Sequence, residues 1–103
     1  MKKEIAGFTV NVSDDGYLSD PEQWNREIAA ELAREEEVGP LREDHWKVIE
    51  YLRLSHAEGT SMSIRRLGKS GVVTIQDFYQ LFPGGPLKKA SRIAGIPKPA
   101  SCV

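Results

Sequence analysis

The chain carries one thiol, Cys102, as its second-to-last residue, just after Pro97, Lys98 and Pro99. A cysteine thiolate is a nucleophile. It can attack a sulfane sulfur, hold it as a persulfide and release the outer sulfur to an acceptor. That chemistry requires one presented thiol and no buried active site. A thiol this close to the terminus is expected on an arm and not inside a packed element. From Gly95 to Cys102 is seven residue steps. At about 3.1–3.6 Å per step an extended arm reaches roughly 22–25 Å, enough to enter a partner's cleft. Pro97 and Pro99 each fix φ and so lower the entropy lost on docking. The carboxylate of Val103 disfavours the thiolate, and Lys98 or a partner's arginine opposes that effect. The bland alternative is a frayed tail with an incidental cysteine.

The other reactive side chains form weaker patterns. His45 stands beside Trp46 on a predicted helix, with no serine or cysteine at a triad-like spacing, and reads as a surface or partly packed histidine. His56, near a predicted helix C-terminus, suits the helix dipole there. Asp14-Asp15 reads as a turn. Gly84-Gly85 lacks a following Gly-Lys-Ser/Thr, and the flanking Pro83 and Pro86 favour a turn over a phosphate loop. The pair Arg65-Arg66 suits phosphate contacts or holding the arm. One cysteine and two histidines form neither an internal disulfide nor a multi-cysteine zinc site, so no metal or cofactor is expected.

Several elements must position the arm. Phe8, Val10 and Val12 alternate with polar residues, Ser13–Gly16 makes a turn, and Gly7 marks an earlier one, which predicts a β-meander over residues 1–18. Asp20-Pro21-Glu22-Gln23 reads as a helix start with a capping box, followed by Trp24, Ile28 and Leu32 on one face to about Glu37. A second helix is expected from Arg42 to Ala57, with Trp46, Ile49 and Leu52 inward. Ser63 and Thr74 begin two short helices, and with the second helix these would form a helix-turn-helix-like unit. Pro86 opens a fifth helix that Gly95 ends. Trp24 and Trp46 are expected in the core.

The 103 residues suit a single domain, 1–103, with 96–103 a flexible, mobile arm. No apolar run approaches the roughly 18–20 residues that span a bilayer, so no membrane is expected. An interrupted N-terminal apolar stretch argues against a signal peptide, and a lone thiol suits a reducing compartment; the cytoplasm is the expected location. The net charge of −1 hides an asymmetry: residues 1–58 carry 14 acidic and 7 basic side chains, and residues 59–103 carry 1 acidic and 7 basic. The basic half shares its part of the chain with Cys102, which favours an anionic partner, an acidic protein face or a thiolate.

Leu81-Phe82-Pro83-Gly84-Gly85-Pro86, then Ile93-Ala94-Gly95-Ile96-Pro97-Lys98-Pro99 and Cys102-Val103, resemble the C-terminal signature of the DsrC/TusE family. Upstream, Asp15-Gly16-Tyr17-Leu18, Trp24, His45 to Arg53 and Ile64-Arg65-Arg66-Leu67 resemble family positions in the same order. The resemblance implies an α+β fold: a small N-terminal β-meander on an array of about five helices, with a helix-turn-helix-like part and a mobile C-terminal arm. It implies that Cys102 is the penultimate cysteine that carries sulfur and that Arg65 contacts the retracted arm. It also implies partners. TusE-like proteins relay persulfide sulfur toward 2-thiouridine in tRNA, and DsrC-like proteins serve a DsrAB-type dissimilatory sulfite reductase as its gamma subunit. Two departures stand out. A second cysteine of the DsrC branch falls at Ser91, whose hydroxyl forms no sulfur–sulfur bond, and the segment Gly68–Thr74 is shorter than in familiar members.

These residues support a sulfurtransferase-type carrier rather than a stand-alone enzyme. One alternative is a partner of sulfite reductase. Another, of a different class, is a nucleic-acid-binding or regulatory protein using Arg65, Arg66 and Lys69. The slightly acidic chain argues against that last reading, because DNA readers tend to be basic.

Overall fold

A computed structural model describes residues 1–99; residues 100–103, which include Cys102, lie outside it. Strand β1 (Lys2–Ile5) pairs antiparallel with β2 (Phe8–Asn11), with Lys2 opposite Asn11 and Ile5 opposite Phe8. Ala6 and Gly7 join them with positive φ of 54° and 87°, the two-residue turn whose twist suits a tight hairpin. An isolated bridge between Val12 and Leu18 extends the meander. Ile5, Val10, Val12 and Leu18 are buried, whereas Phe8 stays exposed at the hairpin end.

Five α-helices follow: α1 (Arg26–Glu35), α2 (Glu43–Ala57), α3 (Ile64–Lys69), α4 (Ile75–Leu81) and α5 (Pro86–Ile93). The α+β architecture expected from the resemblance is the one observed. Helix α5 packs against α1, α2 and α4, so its burial joins the hairpin side of the core to the helical side. Leu87, Ala90 and Ile93 form its inner stripe and are fully buried.

The start of α1 differs from the sequence expectation. Pro21–Gln23 makes only a single 3-10 turn, Trp24 is extended, and the helix begins at Arg26. The cap is Asn25, whose side chain accepts from Ile28 N–H at 2.9 Å. The residues expected to form a capping box serve the meander instead. Gln23 Oε1 accepts from Asn11 N–H and Asp20 Oδ2 accepts from Asn11 Nδ2–H, each at 2.8 Å. The other caps follow expectation: Ser63 Oγ accepts from Arg66 N–H and Thr74 Oγ1 from Asp77 N–H.

His45 also differs. It is buried, 3 % exposed, and not a surface side chain. Its Nδ1 accepts from Arg42 N–H, and its Nε2 lies 3.1 Å from Leu81 O. A carbonyl only accepts, so Nε2 carries the proton and the ring is the neutral tautomer. Burial moves its pKa below the ordinary 6.5. Edge-on packing against Phe82 completes the site. The inward stripe of α2 is therefore His45, Val48, Ile49, Leu52 and Ser55, with Trp46 half-buried beside it under Arg26.

Candidate functional site

The segment that leads toward Cys102 leaves the fold at the end of α5, and the geometry there is set locally. Gly95 takes φ of +72°, in the left-handed region. Its N–H donates to Arg92 O at 3.1 Å, and Ile96 N–H donates to Ser91 O at 3.2 Å. This pair of bonds is a Schellman motif, which satisfies carbonyls that a helix end would leave bare. Ile96 is buried, so the chain is pinned to the core one residue beyond the turn.

Two side chains from distant parts of the sequence clamp this junction. Trp24 Nε1–H donates to Ile93 O at 2.8 Å. Arg53 Nη1–H donates to Ala94 O at 2.8 Å, and its Nη2–H donates to Pro21 O at 3.1 Å. The guanidinium lies 4.1 Å from the centre of the Trp24 ring, within the range of a cation–π contact. One side chain thus joins α2, the 3-10 turn and the end of α5. Burial lowers the pKa of Arg53 from its ordinary value, yet an arginine stays charged in a protein.

Helix α5 is also fixed from its other flank. Arg92 donates to Glu35 and Glu36 at 2.8 and 2.7 Å and to Gly16 O at 3.2 Å. Burial opposes its charge, but the two carboxylates outweigh that and raise its pKa. The same hydrogen bond from Arg92 holds Glu35 below the ordinary carboxylate value. Tyr17 O–H donates to Lys88 O, and Lys89 Nζ donates to Glu36 O. The segment leading toward Cys102 therefore starts from a helix that the charged network and the core both hold in place.

Beyond the clamp, Ile96, Pro97, Lys98 and Pro99 run without regular structure along a cleft of about 310 Å³. Leu52 and His56 of α2, Met62 of the following loop and Ser91 of α5 line its other walls. Lys98 Nζ lies 3.6 Å from Asp15 Oδ2, and both side chains are exposed, so this contact contributes little.

The predicted site residues divide accordingly. Pro97, Lys98 and Pro99 lie together on the cleft. Arg65 is exposed on α3 and does not line this cleft. Cys102 lies outside the described residues. Ser91 is buried, 2 % exposed, and faces the same cleft as Ile96 to Pro99. His56 is exposed on the last turn of α2 and lines the same wall. The clamp itself was not readable from local sequence: Trp24 looks like an ordinary core residue, and nothing near Arg53 shows that its carbonyl partners lie 32 and 41 residues away.

A family model described as DsrC like protein matches residues 4–103. The chain belongs to the DsrC-like family. This DsrC-like chain is 37 % identical over 108 residues to sulfurtransferase TusE of Pectobacterium atrosepticum, covering 97 % of the chain and 98 % of that relative. Its fold is similar to the NMR structure of Allochromatium vinosum DsrC, with a TM-score of 0.81, 34 % identity and full coverage of both chains. It is also similar to the crystal structure of the oxidised gamma-subunit of the dissimilatory sulfite reductase (DsrC) from Archaeoglobus fulgidus, with a TM-score of 0.78, 38 % identity and full coverage of both. Among the described residues, no helix of this DsrC-like chain is long and apolar enough to cross a membrane.

Proposed function

We propose that the chain is a sulfur carrier whose working atom is the Cys102 sulfur. The observation that carries this reading is the clamped junction at Ile93–Ile96, which roots the segment leading to the chain's one thiol beside an open cleft. The similarity to a sulfurtransferase over nearly the whole chain supports the same chemistry.

The transfer has two balanced steps. The Cys102 thiolate attacks the terminal sulfur of a donor persulfide. One sulfur–sulfur bond forms as the donor's breaks, and the donor leaves as a thiolate. The acceptor's thiolate then attacks the outer sulfur on Cys102, which regenerates the Cys102 thiolate. No net oxidant or reductant is consumed. Each step requires the thiolate, and a thiolate persists best in a reducing compartment, so the cytoplasm is its place. The donor and acceptor are partner proteins, a Tus-type relay toward tRNA 2-thiouridine. Arg65 takes the role that the family resemblance implies, holding the retracted arm through its guanidinium. Residues 1–103 act as one domain, with 96–103 as its arm.

A second reading, a partner of a DsrAB-type sulfite reductase, is favoured by the fold's similarity to DsrC structures. Ser91 limits it. The position that would supply a second thiol presents a hydroxyl to the cleft, so a cycle that closes an internal disulfide has no partner for Cys102.

The test is to incubate the reduced protein with a cysteine desulfurase relay or a polysulfide and measure the intact mass. A species heavier by one sulfur atom is expected, and Cys102→Ser should abolish it. Absence of that species, or its persistence in Cys102→Ser, overturns the carrier reading.

A further inference from the structure

The cations of the described residues are mostly spent on neighbours. Lys3, Arg26, Arg34, Lys47, Arg92 and Lys98 are in ion pairs, and Arg53 and Lys89 bind backbone carbonyls. Lys2, Arg42 and Lys88 are also outside the ion pairs, but each stands apart on its own element, whereas helix α3 gathers three such cations. Arg65, Arg66 and Lys69 are all exposed on its six residues, the helix holds no acid, and none of the three forms an ion pair among the described residues.

An apolar stripe adjoins these cations. A Cβ on Gly68 would lie 2.5 Å from Ile75 Cγ1, so the side chain of Ile75 rests directly on the α3 backbone. That contact brings the outer stripe of α4 against the charged helix. Ile75 and Tyr79, one turn apart on α4, remain 44 % and 45 % exposed. At about 100° per residue, Arg65 and Lys69 fall on the side of α3 roughly opposite buried Leu67. The result is Lys69, with Arg65 alongside it, next to an exposed aliphatic and an exposed tyrosine, and Arg66 on the flank away from them. Tyrosine and arginine are the residues that anchor protein interfaces, and guanidinium groups pair with carboxylates in a two-pronged geometry.

We infer that the outer face of α3 and α4 docks an acidic face of the protein that exchanges sulfur with this chain. The inference rests on the carrier reading and adds the surface that the partner uses. Charge complementarity chooses the occupant. A nucleic-acid backbone would need a longer cationic track than one short helix, and the remainder of the chain is acidic enough to repel it. A protein surface needs only a few carboxylates around an apolar centre.

The test places a photo-crosslinking amino acid at Tyr79 of the full chain in host cells, with a second at exposed Glu27 on α1 as control. Crosslinked proteins are identified and their contact peptides mapped. The expected adduct, from Tyr79 and not Glu27, joins a protein that exchanges sulfur with Cys102 through a peptide rich in aspartate and glutamate. In the purified pair, Lys69→Glu should weaken binding severalfold and flatten its salt dependence, whereas Arg66→Glu, on the flank of α3 away from Gly68 and Ile75, should do so less. Changing the partner's mapped acids to lysine should restore it. Arg65 is left unaltered because the carrier reading already assigns it to the arm. No adduct, an adduct with nucleic acid, or binding that ignores the charge reversal overturns the inference. Persulfide loading of Cys102 from inorganic polysulfide should be unchanged in the charge-reversal variant; loss of loading in the unaltered chain would instead refute the carrier reading itself.

Discussion

Trp24 lies so close to Gly95 that the glycine has no room for a side chain. A Cβ built on Gly95 would fall 2.6 Å from Trp24 Cγ and 2.8 Å from its Cβ, and nearer still to Cδ1. The same glycine must hold φ of +72° to end α5. Two separate requirements, one steric and one conformational, thus converge on the residue where the arm begins.

Gly95→Ala should therefore destabilise the fold by about 2–4 kcal/mol, combining left-handed strain with overpacking. Urea unfolding with an unchanged slope would register this as a lower midpoint. Trp24→Ala should be destabilising by itself, yet in the double variant it removes Cγ and Cδ1 and should relieve most of the steric part of the alanine's cost. A double-mutant cycle reads that coupling directly. Additive effects would show that the ring and the glycine are independent.

Arg53→Lys should cost about 1–3 kcal/mol although the charge is kept. A lysine ammonium is a point donor; it cannot reach Ala94 O and Pro21 O in one plane while lying flat on Trp24. The damage should be concentrated at the arm root. Hydrogen exchange at the amides of Gly95 and Ile96 should speed up more than at core amides of α2. Uniform acceleration across the molecule would mean that Arg53 contributes only global stability.

The parts of this fold that were legible in the sequence are those whose causes are local. Pro86 and Gly95 delimit α5 because each acts through its own φ. Ser63 and Thr74 start their helices because each caps an amide three residues away. The start of α1 misleads for the opposite reason. Asp20 and Gln23 satisfy a local capping rule, but Asn11 on the hairpin takes both side chains and the helix waits for Asn25. His45 misleads likewise: its partner Leu81 O lies 36 residues away. The segment expected to form an arm is legible as Pro-Lys-Pro before a cysteine. Its clamp is not, because Trp24 meets Ile93 across 69 residues and no spacing records such a contact.

The buried neutral His45 should make stability depend on pH. Its folded pKa lies below the unfolded value of about 6.5. The stabilisation is therefore complete above that value. It is lost as pH falls below about 6.5 toward the folded pKa, because the unfolded chain takes up the proton first. His45→Asn keeps a donor and an acceptor but does not titrate there. Between about pH 7 and 5 the unaltered protein should lose stability that the variant does not, measured as unfolding midpoints at each pH. Parallel curves for the two proteins would show that His45 is not the group responsible.

Ser91→Cys tests whether the cleft and the end of the chain meet. Ser91 shares the cleft with Ile96 through Pro99, and three further residues reach Cys102, a span of roughly 10 Å when extended. That reach is enough for the chain to fold back if the retracted arm lies along the cleft wall. Under mild oxidation the variant should lose both free thiols and two hydrogens of mass while remaining monomeric. The unaltered chain, with one thiol, should form only intermolecular disulfides. The engineered bond should also block persulfide loading until reductant is added, since the loop would hold the Cys102 sulfur. A variant that yields only dimers would show that the arm does not bring its cysteine to α5. The hydroxyl at position 91 would then have no bearing on how Cys102 finds its partners.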